Sequence, residues 1–196
     1  MVNESIAWEI TGAEDKIEAG KEIMKEIKRN YPIEFDVFAS KAGVQVLKMY
    51  ELLEEVEDSF GELSVEVNAN VPFLAGLLHK ERYGGRIIAP AASNTVAKIA
   101  NCIGDILLTN SALQALKAYR PVYVMPVGLE AGESTTTLPD GTKIKIRVRK
   151  EDAAQAAKLR EIDGITVLEG PEGIEDEDEI LELVGGRWRS HPSIWR

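Results

Sequence analysis

Cysteine is nearly absent: 196 residues contain one, Cys102. A single thiol excludes an internal disulfide, and it excludes an iron–sulfur cluster or cysteine-rich zinc site held by this chain alone. Its apolar neighbours, Ile99, Ala100 and Ile103, predict a buried structural thiol. Histidine is almost as scarce. His79 falls on a charged helix beside Lys80 and Glu81 and reads as surface, and His191 lies in the tail. No apolar run reaches the roughly 20 residues of a membrane span. Positive charge is also short: 23 Lys and Arg stand against 33 Asp and Glu, a formal net charge of −10. That balance argues against a general nucleic-acid binder and against attachment to an anionic membrane. The opening MVNESIAWEI has no basic region followed by an apolar core, so no signal peptide is expected and the chain reads as cytoplasmic. There is no internal repeat, linker or low-complexity segment, which predicts one domain over residues 1–196.

What is present is an alternation of strands and helices. Ser5–Ile10 predicts a strand, Thr11-Gly12-Ala13 a tight turn, and Glu14-Asp15 the opening of a helix whose inner face is Ile17, Gly20, Ile23, Met24 and Ile27. Ile33–Ala39 predicts a second strand, and Ser40 starts a helix lined by Val46, Leu47, Tyr50 and Leu53. A short strand within Leu63–Val67 and a short helix through Leu74, Leu77 and Leu78 follow. Val122–Val127, continuously apolar, predicts a buried parallel strand. Asp140-Gly141 joins Ser134–Leu138 to Lys143–Val148 as a hairpin. Lys143, Lys145, Arg147 and Arg149 alternate along its second arm, either as a solvated face or as a docking surface for an acidic partner or phosphorylated substrate. A helix over Glu151–Arg160, a strand over Gly164–Leu168, an acidic helix over Glu175–Leu183 and a tail over Gly185–Arg196 complete the chain, with Trp188, Ile194 and Trp195 expected to pack on the body or on a neighbouring subunit. The alternation implies an α/β fold, a doubly wound parallel sheet of Rossmann-like or flavodoxin-like type, with a β-hairpin insertion and a C-terminal extension. Ligands in such sheets bind at the carboxyl ends of the strands, where the turns after Ile10, Ala39, Ala89 and Val127 meet.

The stretch Arg86–Asn110, RIIAPAASNTVAKIANCIGDILLTN, is the centre of the reading. Ile87-Ile88-Ala89 predicts a strand that breaks at Pro90, which has no N–H for a ladder. Val96, Ile99, Ala100, Ile103 and Leu107 then recur at helical spacing, with Ser93 or Asn94 at the N-cap position. This is either an ordinary capped βα turn or an anion site, since free N–H groups and the helix dipole converge there.

Pro90, Ala91, Asn94, Thr95, Lys98, Ile99, Ala100, Gly104, Asp105, Leu107, Leu108 and Thr109 resemble the coenzyme-binding segment of the homo-oligomeric flavin-containing Cys decarboxylase family, with Ala92-Ser93 where the family has Ser-Ala. The resemblance spans Ile6–Val127. It implies FMN as cofactor, rather than a dinucleotide, for which the chain carries no Rossmann fingerprint. It implies flavin contacts from Thr11, Gly12 and Ala13; from Ser40, whose hydroxyl would hold the phosphate or cap a helix; from Ala91, Ala92, Ser93, Asn94 and Thr95; and from Thr109, Asn110 and Ser111 at the far end of the same helix. Glu14 and Asp15 would repel a phosphate and are expected to point away from it. The resemblance also implies a homo-oligomer, a trimer or an assembly of trimers.

Within the family, the decarboxylase and prenyltransferase branches lack their residues here. Asn70 stands where the decarboxylases have a catalytic histidine, and Met125-Pro126-Val127-Gly128-Leu129-Glu130 carries neither the Met-Asn lid nor the Pro-Arg-Glu-Thr-Pro segment. The opening Ile6–Ala13 is similar instead to the archaeoflavoproteins and archaeal dihydromethanopterin reductases. That branch implies an FMN-dependent oxidoreductase passing electrons from an external ferredoxin-like or reduced-flavin donor to a pterin acceptor such as dihydromethanopterin. A decarboxylase, a flavin prenyltransferase and a pure electron carrier are the alternatives.

Overall fold

The computed structural model describes residues 5–80 and 82–174. In chain order the elements are β1 (Ser5–Ile10), α1 (Ile17–Asn30), β2 (Glu34–Ala39), α2 (Lys41–Met49), α3 (Leu53–Phe60), β3 (Ser64–Val65), α4 (Leu74–His79), β4 (Gly85–Ala91), α5 (Ser93–Ala100), α6 (Leu107–Lys117), β5 (Val122–Pro126), β6 (Gly132–Thr137), β7 (Lys143–Val148), α7 (Lys150–Leu159) and β8 (Ile165–Val167), followed by a 3-10 turn over Pro171–Ile174. The expected helix over Glu175–Leu183, the tail with Trp188, Ile194 and Trp195, and His191 and Glu81 lie outside the described residues.

Six strands form one sheet in the order β3-β2-β1-β4-β5-β8, and every neighbouring pair runs parallel. The chain winds outward from β1 to β3, returns to the other side of β1 as β4, and winds outward again. β1 and β4 therefore flank the switch point where such sheets bind ligands. Alternation along β1 builds both faces. Ile6, Trp8 and Ile10 pack with Ile17, Met24 and Ile27 of α1, whereas Ala7 joins Ile88, Val124, Leu108 and Ala112 on the opposite side. The α/β class, the parallel sheet and the separate hairpin β6–β7 agree with the expectation.

Five local expectations are corrected. Pro90 does not end β4: the strand continues to Ala91 across a register shift between Ile88 and Ala91. The predicted long helix is two helices. It breaks at Asn101–Ile106, where Cys102 takes φ 58°, and the thiol is exposed rather than buried. Ile103, read as a core position, is 46% exposed in that loop. The helix after the first turn opens at Ile17, with Lys16 rather than Glu14-Asp15 at its cap. Apolar periodicity alone did not reveal the first break because Leu107 and Leu108 resume the buried pattern in α6.

A charged pair crosses the centre of the sheet. Glu9 of β1 and Arg86 of β4 are both completely buried and form an ion pair. Arg86 Nη2 also donates to the Leu108 carbonyl at 3.0 Å, and the Ser111 hydroxyl lies 3.3 Å from Glu9 Oε2. Glu9 Oε1 and Arg86 Nε and Nη1 have no partner among the described residues. Burial lifts the Glu9 carboxyl to about 8, against the pull of Arg86 and Ser111. Removing Glu9 leaves the buried Arg86 cation without its carboxyl partner. Glu9→Leu should therefore cost about 3–5 kcal/mol, and adding Arg86→Met should recover most of it, read from denaturant midpoints. The unfolded carboxyl titrates near 4.5 and the folded one near 8, so the folded chain holds the extra proton in between. Stability should fall as pH rises through that window, and the double variant should lack this component of the slope.

Candidate functional site

The end of β4 is stitched to β1 by side chains. The Trp8 indole N–H donates to the Ala89 carbonyl at 2.8 Å, and the Thr11 hydroxyl donates to the Pro90 carbonyl at 2.7 Å. Thr11 Oγ1 also accepts from Ala92 N–H at 2.8 Å. These bonds replace the ladder that Pro90 cannot complete. They also set the start of α5, whose N-cap is Ala92, so the expected cap at Ser93 or Asn94 is corrected: both lie inside the first turn. No side chain caps this helix. The N–H groups of Ser93, Asn94 and Thr95 have no acceptor inside the helix and face the dipole's positive end. Asn94 is exposed, Ser93 is half-buried and Thr95 is buried.

Beside it, α2 begins at the end of β2. Ser40 Oγ accepts from Gly43 N–H at 3.0 Å and is a true N-cap, while Ser40 N–H donates to the Ile10 carbonyl at 3.0 Å. The approach is close enough to demand glycine twice. A Cβ on Gly43 would lie 2.5 Å from the Ile10 carbonyl oxygen, and one on Gly12 would lie 2.6 Å from the Ala42 Cβ. The turns after β1, β2 and β4 are thus packed together, with Thr11, Ala13, Ser40 and Ala91 buried around them.

A cavity of about 330 Å³ opens at this end of the sheet. Its floor is Gly12, Ser93, Val127 and Gly128, and its roof is the hairpin, through Leu138, Ile144, Ile146 and Val148. Tyr50, at the end of α2, ties roof to floor. Its hydroxyl lies 3.0 Å from the Thr137 carbonyl and 3.3 Å from Glu14 Oε2. Burial and the neighbouring Glu14 both raise that phenol's pKa. Glu14 and Asp15 line the cavity. The αL conformation of Lys16 delays the helix and leaves both acids in the connecting loop.

Thr109, Asn110 and Ser111 do not join this lining. They belong to the first turns of α6, not to the far end of α5. The Thr109 hydroxyl accepts from Ile106 N–H, and Ser111 is fully buried against Leu107, Leu108 and Glu9. The Asn110 amide donates to the Ala69 carbonyl at 2.9 Å and to Asn70 Oδ1 at 3.2 Å. Glu66, also buried, accepts from Leu107 N–H at 3.1 Å and seats the start of α6. Sequence reading missed Glu9, Arg86 and Glu66, because Glu9 meets Arg86 77 positions along the chain and Glu66 meets Leu107 41 positions along; Glu9 in an otherwise apolar strand was the one available signal.

The profile of the Flavoprotein family matches residues 1–184. The chain belongs to the Flavoprotein family. It is 45% identical over 170 residues to an uncharacterized protein of Methanocaldococcus jannaschii, covering 87% of this chain and 91% of that one. It is 37% identical over 138 residues to the dihydromethanopterin reductase (acceptor) of Methanosarcina mazei, covering 66% of this chain and 57% of the relative. Among solved structures, DmrB of Burkholderia xenovorans in complex with FMN, described as a cubic protein cage for redox transfer, superposes with a TM-score of 0.78 at 27% identity, covering 91% of this chain and 96% of that one. The resemblance drawn from the Pro90–Thr109 motif is borne out at the level of the family.

Because Ser40 caps α2, Ser40→Ala should lose about 0.5–2 kcal/mol of stability, whereas Ser40→Gly should lose only a few tenths. Thermal denaturation of the two variants separates these outcomes; equal stability of Ser40→Ala and the parent chain would contradict the capping role.

Proposed function

We propose that this chain is an FMN-dependent oxidoreductase that takes electrons from an external donor, ferredoxin-like or a reduced flavin, and passes them to a pterin-type acceptor such as dihydromethanopterin. The observation that carries the reading is the uncapped N-terminus of α5, which meets the turns after β1 and β2 at the switch point and borders a roofed cavity. Such a terminus suits the phosphate of a flavin mononucleotide. The M. mazei relative and DmrB support the choice of cofactor and reaction.

In this reading Thr11, Gly12, Ala13, Ser40 and Ala91 through Thr95 form the flavin cradle. Gly12 and Gly43 let the backbone turns crowd together, and the open N–H groups of α5 offer donors to the phosphate. Glu14 and Asp15 would repel a phosphate, so they face a neutral or donor-bearing part of a ligand. Thr109, Asn110 and Ser111 act as positioning residues, holding α6 against Glu9 and the loop around Asn70. FMN supplies the redox chemistry, and the chain binds, orients and shields it.

The titratable lining of the cavity is carboxylate and guanidinium, from Glu14, Asp15, Asp152 and Arg147, and this supports electron or hydride transfer over a histidine- or cysteine-assisted decarboxylation. Neither histidine nor cysteine lines the cavity among the described residues. His79 is exposed, with Nε2 3.2 Å from Gln114 Oε1, and Cys102 sits in the exposed loop after α5. The cage described for DmrB supports a homo-oligomer, which we take to be a trimer or an assembly of trimers.

Heat release of the chromophore from purified protein should yield FMN, and FAD or no flavin would refute the cofactor assignment. Anaerobic assay with a reduced donor and dihydromethanopterin should show turnover. Asn94→Ala should weaken flavin binding or shift its potential, while His79→Ala should keep nearly full activity. Loss of turnover in His79→Ala with flavin retained would restore the proton-managing alternative. A flavin that cycles without reducing any pterin would reduce the function to electron carriage.

Light scattering at micromolar concentration should give a trimer or a multiple of three, and a monomer would refute the assembly.

A further inference from the structure

The hairpin has two chemically different faces. Its register pairs Gly132 with Val148, Ser134 with Ile146 and Thr136 with Ile144 on the side that roofs the cavity. Glu133 with Arg147, Thr135 with Lys145 and Thr137 with Lys143 form the other side by alternation, and the exposed Arg147 also lines the cavity. Residues 143–150 hold five cations, Lys143, Lys145, Arg147, Arg149 and Lys150, and no acid, in a chain of net charge −10. All five are exposed. Lys145 is paired with Glu133 at 2.9 Å and Arg149 with Asp152 at 2.6 Å. Lys143, Arg147 and Lys150 have no carboxylate partner among the described residues.

This cationic face is separated from the cavity by the thickness of one two-stranded ribbon, on the order of 10 Å or less. The Tyr50–Thr137 contact holds the ribbon over the cavity rather than free in solvent. The chain brings no metal cluster of its own, since its one cysteine cannot ligate one, so electrons must arrive from outside.

We infer that the outer face of the hairpin is the docking surface for the electron donor, and that the donor is a small redox protein with an acidic surface around its redox centre. The inference rests on the oxidoreductase reading above. Charge selects the orientation. In a chain of net charge −10, this acid-free run of five cations is a local attraction for an acidic protein. With a screening length of about 8–10 Å, the local patch governs the final approach. Docking there places the donor's centre against the roof of the cavity. Two one-electron donors, oxidised in succession, supply two electrons, which with two protons from solvent take bound FMN to its dihydro form.

Lys143 and Lys150 are the residues to reverse, because neither lines the flavin cavity and neither has an ion pair to lose. The FMN-loaded full chain and its Lys143→Glu/Lys150→Glu variant would be mixed anaerobically with a reduced acidic [2Fe–2S] ferredoxin, and flavin bleaching followed by stopped flow. At low ionic strength the variant's second-order rate should fall about tenfold, and its salt dependence should flatten. Deazaflavin-driven photoreduction of the bound flavin should be the same in both proteins. Equal ferredoxin rates with equal salt dependence would overturn the docking surface while leaving the oxidoreductase reading intact. So would a variant that loses binding to phosphatidylserine vesicles but keeps its ferredoxin rate, which would make the face a lipid contact. Protein that holds no flavin, or whose flavin resists photoreduction, would remove the oxidoreductase reading and this inference with it.

Discussion

The carbonyl groups of Ala89 and Pro90 are the constraint around which this site is built. β4 lies between two parallel neighbours, so each of its backbone groups needs a partner, yet Pro90 offers no N–H and the register shifts beside it. β1 supplies the missing bonds from side chains, with Trp8 bound to one carbonyl and Thr11 to the other. Trp8 can do this because its ring is anchored edge-on against Phe60, with centroids 5.1 Å apart, inside the core below. Thr11 then accepts from Ala92 and fixes where α5 begins. Without that bond, the first turn of α5 would have no fixed relation to the turn after β1.

The same junction explains the glycines and the buried charges. Gly12 and Gly43 permit α2 to start against the end of β1, and any Cβ there would meet backbone or a methyl group within 2.6 Å. One layer down, Glu9 and Arg86 bridge the same two strands in complete burial. A pair of this kind adds little net stability, because the Coulombic gain offsets desolvation and little more. What it provides is a polar tie between the central strands and α6, through the Leu108 carbonyl and Ser111. The start of α6 is held from a second direction by Glu66 and Asn70. Asn110 and Ser111 thus tie α6 to the loop around Asn70 and to Glu9.

The hairpin divides labour across one ribbon. Its inner side presents aliphatic and hydroxyl side chains to the cavity, joined there by Arg147, and its outer side presents Lys143 and Lys145 to solvent. Because strand side chains alternate with period two, one eight-residue segment can serve both surfaces. Tyr50 bridges the hairpin and Glu14 through one hydroxyl.

Much of this was legible in the chain itself, where the physics is local. Periods of two and 3.6 mark nearly every described strand and helix, Asp140-Gly141 marks the hairpin, and Ser40 marks a helix start that the structure confirms as a cap. The motif from Pro90 to Thr109 led to the flavoprotein family because its residue types recur at fixed local spacing. Where the sequence reading failed, the deciding interactions were distant in the chain. Pro90 stays in a strand because Thr11, 79 residues earlier, donates its hydroxyl to the Pro90 carbonyl. Thr109 and Ser111 turn inward because a left-handed residue at Cys102 splits the helix and Glu9, 102 residues away from Ser111, waits in the core. Glu14 and Asp15 face the cavity because Lys16 delays α1 and the hairpin closes over them. Local spacing determined the elements and the family. Only the tertiary structure decided which side chains meet, because burial and hydrogen-bond satisfaction are settled between segments that the sequence keeps far apart.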